Sequence, residues 1–264
     1  MRETERDRVI NIGRIRTACN DCNLGQLCLP MDLAETDVDR LDNIIERKRP
    51  LRRGDHLYRA GDGFRCIFAV RSGSLKTYTI SEDGNEQVTG FHLPGEMVGL
   101  DAIISEMHPC GATALETSSV CEIPLQHLED LASSIPGLQH QLLRLMSKEI
   151  FADHEMLHAL ARRTAEERLA IFLLSLSERF GRRGLSRERF RLPMSRSDLS
   201  NYLGLAPETM SRLFKRFQDK GWISGRGKEV CLESLSALRL LAGHDATPSW
   251  QDSRSSLGES RSGC

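Results

Sequence analysis

The sequence lacks any apolar stretch approaching 18 residues, so we expect no transmembrane helix and no membrane partner. It also lacks an apolar run behind the acids and arginines of residues 1–8, which argues against a secretory signal peptide. Internal repeats are absent. The composition, 39% hydrophobic and 28% charged over 264 residues, is that of a globular chain with one large domain or two ordinary ones. These features predict a cytoplasmic protein.

A large excess of one charge is also lacking, because the formal net charge is only −1. The charges are nevertheless unevenly spread. Between Ser195 and Lys228, seven arginines and lysines stand against three acids, a local excess of four positive charges. Such a basic patch suits a polyanion, although it is a weak signal by itself.

Residues 50–124 have the pattern of a compact antiparallel β-roll. Short runs such as Cys66–Val70 and Leu75–Ile80 are separated by Gly- and Asp-rich turns, spaced about 8–12 residues apart. A short amphipathic helix is expected before the roll, at 32–48, and a long helix after it, from Ile135 to about Leu160. We predict an α+β fold with an N-terminal antiparallel β-roll, a long dimerisation helix and a winged helix-turn-helix.

Five parts follow one another along the chain in this prediction. They are a cysteine-rich arm (1–31), a β-roll sensor domain (32–134), a dimerisation helix (135–162), a winged helix-turn-helix domain (163–243) and a tail (244–264). The tail is rich in Ser, Gly and Arg, and this composition predicts disorder.

A helix-turn-helix is predicted over residues 197–219. Ser197 is expected to cap the first helix. Gly204 can take the positive φ of the tight turn, and Pro207 suits the first turn of the second helix. The segment Gly225–Lys228 between two short apolar runs predicts a wing with a basic tip that contacts phosphate.

The second helix, expected from Pro207 to Asp219, has one apolar and one polar face. The apolar face consists of Met210, Leu213, Phe214 and Phe217. Glu208, Ser211 and Arg212 share the other face near the helix N-terminus. Arginine binds guanine O6 and N7, glutamate accepts from cytosine N4, and serine is adaptable, so these three residues are predicted to read double-stranded DNA. The alternative is an exposed ion pair between Glu208 and Arg212.

A heptad seam is predicted along the long helix. Its residues, alternately three and four positions apart, are Leu143, Met146, Ile150, Asp153, Leu157 and Leu160. A homodimer is expected, because symmetric half-sites on DNA call for a symmetric reader. In such a dimer Asp153 would lie near its own copy and the two carboxylates would repel. The alternative is that the seam packs on the roll and Asp153 faces water.

Three cysteines, Cys19, Cys22 and Cys28, are clustered with intervals of two and five residues. Thiolates at this spacing can reach one metal centre, and a fourth soft ligand would complete either zinc or an iron–sulfur cluster. Candidates for that ligand are Cys66, Cys110, Cys121, Cys231 and Cys264. The spacing does not distinguish a zinc site from an iron–sulfur cluster, and three free thiols are a further alternative.

The order of these parts resembles the catabolite-activator superfamily, and within it the FNR-type oxygen-responsive regulators of bacteria. This resemblance implies that the β-roll is cyclic-nucleotide-binding-like. The resemblance runs from about Cys19 to Gly243. Its most specific strings are LDNIIERK at 41–48, GFHL at 90–93, VCEIP at 120–124, AEERL at 165–169 and ETMSR at 208–212.

The resemblance implies a [4Fe–4S] cluster as cofactor. The ligands it implies are Cys19, Cys22, Cys28 and Cys121, which selects Cys121 rather than Cys110. With the intact cluster, proteins of this family dimerise and bind DNA. Oxygen converts the cluster to [2Fe–2S] and then destroys it, and the dimer separates.

The resemblance also implies a DNA sequence and a second partner. Glu208, Ser211 and Arg212 match the residues with which this family reads TTGAT-N4-ATCAA-type sites. By binding such sites, the regulators of the family activate or repress genes of anaerobic metabolism. RNA polymerase is the implied partner, and the acidic turn Ser81–Asn85 resembles the region that contacts it.

Three alternatives differ in their sequence requirements. A cyclic-nucleotide receptor would keep an arginine after the segment Pro94–Gly99, yet residues 105–112 contain none. An electron-transfer or radical iron–sulfur enzyme would need a cofactor or substrate motif, which is lacking, so we do not expect an enzyme. A zinc-stabilised regulator of the same superfamily is the closer alternative.

Overall fold

The computed structural model describes residues 18–243, which contain seven α-helices and eleven strands. The helices are α1 (Glu35–Ile44), α2 (Leu125–Ser134), α3 (Pro136–Arg162), α4 (Ala165–Arg182), α5 (Arg196–Tyr202), α6 (Pro207–Asp219) and α7 (Leu235–Ala242). The strands are β1 (Glu46–Arg47), β2 (His56–Tyr58), β3 (Cys66–Ser72), β4 (Leu75–Ile80), β5 (Glu86–His92), β6 (Met97–Val98), β7 (Gly111–Ala114), β8 (Ser119–Pro124), β9 (Arg189–Arg191), β10 (Ile223–Ser224) and β11 (Glu229–Leu232). The predicted disordered tail, 244–264, and residues 1–17 of the predicted arm lie outside the described residues.

The predicted β-roll is formed by two antiparallel four-stranded sheets. Their strand orders are β1-β8-β3-β6 and β2-β7-β4-β5. Strand β3 shows how the roll is filled, because its successive side chains point to opposite faces. Ile67 packs with α1, α2 and the start of α3, whereas Phe68 packs in the interior cluster with Tyr58 and Leu75. The predicted α+β class is confirmed.

The helix expected over 32–48 is shorter than this prediction. It begins at Glu35 and ends at Ile44, and the chain then extends into β1. Strand β1 pairs with β8, so its hydrogen bonds go to the sheet and the helix does not continue. Val38 and Leu41 are the buried residues of α1.

The C-terminal module, residues 163–243, packs helices α4 to α7 on the three-stranded sheet β10-β11-β9. The predicted N-cap of α5 is wrong. Ser195 takes this position, and its Oγ accepts from the backbone N–H of Asp198 at 3.0 Å while Asp198 bonds back to the Ser195 N–H. This capping box satisfies two donors at once, which Ser197 inside the first turn would not do.

The roll and the C-terminal module share one apolar core and several polar contacts. Phe91 of β5 lies 5.0 Å from Tyr202 and 6.0 Å from Phe172, measured between ring centroids. The Glu96 carboxylate after β5 receives hydrogen bonds from Arg179 at 2.5 Å and Arg183 at 2.7 Å, both on α4. The C-terminal module is therefore oriented directly by the roll.

Between residues 18 and 243, no helix combines the length and the apolar character that crossing a bilayer requires.

Candidate nucleic-acid interface and cysteine pocket

Helix α6 presents the three predicted base-reading residues to solvent. Pro207 occupies its first turn, where the missing N–H costs nothing. The apolar face is buried through Met210, Leu213, Phe214 and Phe217. Glu208, Ser211 and Arg212 are exposed on the opposite side. Within the described chain neither Glu208 nor Arg212 has an ion-pair partner, so the alternative of a mutual ion pair is not observed.

The turn between α5 and α6 is fixed by contacts that reach beyond the motif. Gly204 has a φ of +62°, and the N–H of Leu205 donates to the Ser200 carbonyl at 2.8 Å. Arg168 of α4 donates to the carbonyl of Leu203 at 3.0 Å and to that of Leu160 at 2.8 Å. Arg168 thus ties the turn to the end of α3. Sequence reasoning missed this role, because nothing in the local pattern marks it.

The wing is only partly available for phosphate. Arg226 is exposed at its tip, but the Lys228 ammonium donates to the Pro193 carbonyl at 2.5 Å and is committed to the fold. Arg196 at the start of α5 stacks on the Phe214 ring, with its Cζ 3.2 Å from the ring centroid. Its Nη2 also donates to the Gly227 carbonyl at 3.2 Å, which links the wing to the helix-turn-helix.

The four cysteines implied by the resemblance line one pocket. Cys19 and Cys22 belong to the first of two short 3₁₀ turns and the residue after it, Cys28 follows the second, and Cys121 lies in β8. The pocket is completed mainly by apolar residues: Leu24, Leu29, Pro30, Leu41, Ile45, Ala69, Val70 and Ile123. Cys110 lies elsewhere, in the roll, where its thiol donates to Asp101 at 3.2 Å.

The surroundings of the pocket disfavour free thiolates. Burial raises the pKa of Cys28 to about 12 and raises the pKa values of Cys19 and Cys121 above the ordinary thiol range. In residues 18–243, no three His, Cys, Asp or Glu side chains stand in an arrangement that would hold a metal ion. The donor set nevertheless fits a thiolate-bound centre, because four soft ligands reach one largely apolar pocket and a cation would compensate their negative charge.

Next to this pocket lies a charged pair that we did not predict from the sequence. Asp42 at the end of α1 and Arg47 in β1 form an ion pair. The backbone N–H of Cys19 donates to the Asp42 Oδ1 at 2.8 Å, and Arg47 Nη2 lies 3.8 Å from the Cys19 sulfur. The string LDNIIERK contains both residues, but their roles depend on the turn from α1 into β1.

The predicted seam of α3 is exposed along much of its length. Leu143, Ile150 and Leu157 are 58%, 55% and 66% accessible. Met146 is half-buried and Asp153 is exposed. These apolar side chains therefore do not pack on the roll as the alternative prediction required, and they leave a stripe that a partner helix would cover.

Comparisons with known proteins match both halves of the chain. Residues 48–134 match the cyclic nucleotide-binding domain family and residues 167–241 the Crp-like helix-turn-helix domain family. Among solved structures, FixK2 from Bradyrhizobium japonicum superposes with a TM-score of 0.69 at 27% identity, over 76% of this chain and 98% of that one. The c-di-GMP responsive regulator CLP of Xanthomonas campestris superposes at 0.60, over 76% of this chain and 100% of that one, and at 21% identity it shows the fold alone.

Curated relatives extend the match over nearly the whole chain. The fumarate and nitrate reduction regulatory protein of Escherichia coli is 52% identical over 90% of this chain and 95% of its own length. That of Yersinia pestis is 51% identical over the same shares. The chain belongs to the family of fumarate and nitrate reduction regulatory proteins, within the Crp-like helix-turn-helix regulators.

Proposed function

We propose that this chain is an oxygen-sensing transcription regulator of the cytoplasm, which activates or represses genes of anaerobic metabolism. The observation that carries the proposal is the pocket, in which cysteines from two distant segments come together. Relatives named for fumarate and nitrate reduction support the anaerobic assignment. The exposed polar face of α6 supports the assignment as a DNA-binding regulator.

The cofactor of this proposal is a [4Fe–4S] cluster. Its ligands are Cys19, Cys22, Cys28 and Cys121. When bound, the cluster supplies oxygen-sensitive redox chemistry. The chain's own part is to bind it through thiolates and to limit water access with apolar side chains such as Leu29 and Ile123.

The DNA site of this proposal is a TTGAT-N4-ATCAA-type palindrome bound by a homodimer. Glu208, Ser211 and Arg212 of each copy read one half-site from the N-terminal part of α6. RNA polymerase is the second partner, and the exposed turn Ser81–Asn85, closed by Gly84 at a φ of +78°, is the surface we assign to it.

The dimer interface of this proposal is the exposed stripe of α3, with Met146, Ile150 and Leu157 at its centre. These side chains would bury apolar area that is now in contact with water. Asp153 lies in the same stripe and opposes pairing, because each copy brings a carboxylate toward the other. Ordering of the cysteine region on cluster binding would have to overcome this repulsion.

A cyclic-nucleotide receptor fits the described residues less well. The Glu96 carboxylate, in the segment where such receptors bind the nucleotide, is fully engaged by Arg179 and Arg183. The two guanidinium groups hold its pKa far below the usual range. A ligand hydroxyl would have to displace them, and no arginine in 105–112 would receive the phosphate.

The proposal is tested by purifying the full chain without oxygen. We expect a brown protein with about four irons per chain that binds the palindrome and loses both colour and binding in air. Cys121→Ser should prevent cluster retention, whereas Cys66→Ser, on the neighbouring strand β3 but not in the pocket, should not. A colourless protein carrying one zinc, or DNA binding that requires cAMP, would overturn the iron–sulfur assignment.

A further inference from the structure

Arg47 connects the two segments that carry the pocket cysteines. Its strand, β1, pairs with β8 so that Arg47 lies directly opposite Cys121. Residues opposite each other in an antiparallel pair project to the same face of the sheet. The Arg47 guanidinium extends from there to Cys19, with Nη2 at 3.8 Å from the sulfur. The Arg47 side chain therefore lies on the strand paired with that of Cys121 and contacts Cys19 in the N-terminal segment.

Asp42 holds this guanidinium in place. Its Oδ1 accepts from Arg47 Nη2 and from the backbone N–H of Cys19, the second at 2.8 Å. The Arg47 side chain is only 11% exposed. Because one carboxylate oxygen binds both the arginine and the cysteine backbone, the position of Arg47 is coupled to that of Cys19.

Arg47 also has donor capacity that the protein does not use. Its Nε–H is buried and lacks a hydrogen-bond partner among the described residues. A buried unpaired donor costs free energy, so an acceptor beside this N–H would be favourable. A cluster bound by four thiolates brings an excess of negative charge next to this group and offers sulfur acceptors.

We propose that Arg47, fixed by Asp42, is a positioning residue for the cysteine-bound cluster, where it compensates the cluster's negative charge and holds Cys19 toward Cys121. This inference rests on the proposed function, because it concerns the same pocket. A cation beside the centre favours the more reduced cluster, which carries more negative charge. Arg47 is therefore expected to raise the reduction potential of the cluster and to slow its loss.

The test compares three variants of the full chain, isolated without oxygen. Arg47→Gln removes the charge, Arg47→Lys retains it without the fork that binds two partners, and Lys48→Gln is the matched control. Lys48 is the next residue, but its side chain is 65% exposed and its ammonium pairs with Glu122 at 2.5 Å. Two quantities are measured: the rate of iron transfer to a chelator and the reduction potential of the bound cluster.

For Arg47→Gln we expect iron loss about tenfold faster than in wild type, as is typical for groups that support metal ligands, and a more negative potential. Arg47→Lys should recover the potential but only part of the retention. Lys48→Gln should match wild type in both. Arg47→Gln values equal to those of Lys48→Gln would overturn the role of Arg47 while leaving the proposed function intact.

The failure of the proposed function can be distinguished from the failure of this inference. A wild-type chain that holds no iron overturns both. If Arg47→Gln fails to fold, as thermal unfolding of the metal-free chain would reveal, the Arg47→Lys variant tests the role of Arg47. Retention in Arg47→Lys equal to wild type would contradict the need for a guanidinium that binds Asp42 and Cys19 at once.

Discussion

At the scale of single residues, Arg212 is the side chain that we propose specifies a base. It is exposed near the N-terminus of α6 and has no ion-pair partner in the described chain. Arg212→Ala should weaken binding to the TTGAT palindrome by about 1–3 kcal/mol, because a bidentate contact to guanine is lost. Fluorescence anisotropy on this palindrome, and on one with the contacted G·C pair exchanged, measures the effect. The preference between the two duplexes should largely disappear.

Lys215→Ala is the matched control for this measurement. Lys215 is also exposed on α6, one turn further along, where a lysine would contact phosphate. Its removal should weaken binding to both duplexes alike and leave the preference unchanged. A preference that survives Arg212→Ala would contradict the assignment of Arg212 as a base reader.

The residues that shape the helix-turn-helix were predictable from the sequence because their roles are local. Pro207, Gly204 and the apolar face of α6 all follow from helix and turn chemistry within about twenty residues. Arg168 and Lys228 were not predictable in the same way. Each donates to a backbone carbonyl far along the chain, and such contacts exist only once the elements are packed.

At the scale of elements, helix α3 carries an exposed apolar stripe that no described part of the chain covers. Ile150 is 55% accessible at the middle of this stripe. Ile150→Glu should prevent dimerisation, because the charge would have to be buried against the partner helix. Anaerobic sedimentation of the cluster-bound chain should show a monomer.

Ala152→Glu is the control for this variant. Ala152 is also exposed, but it lies two positions further on and so on the far side of α3, and the variant should remain dimeric. A dimeric Ile150→Glu would place the interface elsewhere.

Helix α5 docks on the free edge of the sheet, and the Asn201 side chain bonds directly to the backbone of that edge. Asn201 Oδ1 accepts from the Val88 N–H at 2.6 Å, and its Nδ2 donates to the Glu86 carbonyl at 2.7 Å. The amide thus replaces a neighbouring strand at the edge of β5. Asn201→Ala should cost about 1–2 kcal/mol and should speed hydrogen exchange at Val88, measured by NMR. Amides of β5 that bond to β4 should keep their protection. Unchanged exchange at Val88 would show that the contact is absent in solution.

The sequence predicts the elements better than their contacts. The spacing of the turns predicted the roll and the helical spacing of apolar residues predicted α6, since both patterns are readable along the chain. The shortening of α1 was missed because it depends on β1 pairing with β8. The ion pair of Asp42 with Arg47 follows from the same pairing and was missed for the same reason.

At the scale of the whole molecule, Glu96 joins the roll to α4 through two arginines. Arg179 and Arg183 hold its pKa far below the usual range despite burial. A carboxyl with a lowered pKa in the folded state stabilises the fold above its unfolded pKa, about 4.3, and this contribution is lost as the pH falls below that value. Glu96→Gln should therefore be less stable by roughly 3 kcal/mol at pH 7.

Urea unfolding of wild type and Glu96→Gln at pH 7, 5 and 3.5 measures this difference. The deficit of the variant should be equal at pH 7 and 5 and smaller at pH 3.5, because wild-type Glu96 then begins to lose its advantage. The exposed carboxyl of Glu155 provides the control, and Glu155→Gln should show no deficit at any of these pH values. A deficit that grows on acidification would exclude an ionised Glu96 as the link.

The proposed switch depends on Asp153, because it couples the state of the cysteine pocket to the oligomeric state of the whole molecule. Two carboxylates facing each other at about 4 Å in a partly wet interface repel by about 1–4 kcal/mol. Asp153→Ala removes this repulsion, so the chain should dimerise and bind the palindrome in air, without a cluster. Sedimentation and anisotropy on aerobic protein measure both properties.

Glu155→Ala is the control, because it removes an exposed acid from the far side of α3 and should stay monomeric in air. An Asp153→Ala chain that remains monomeric and does not bind DNA in air would show that repulsion at this position is not what holds the dimer near marginal stability.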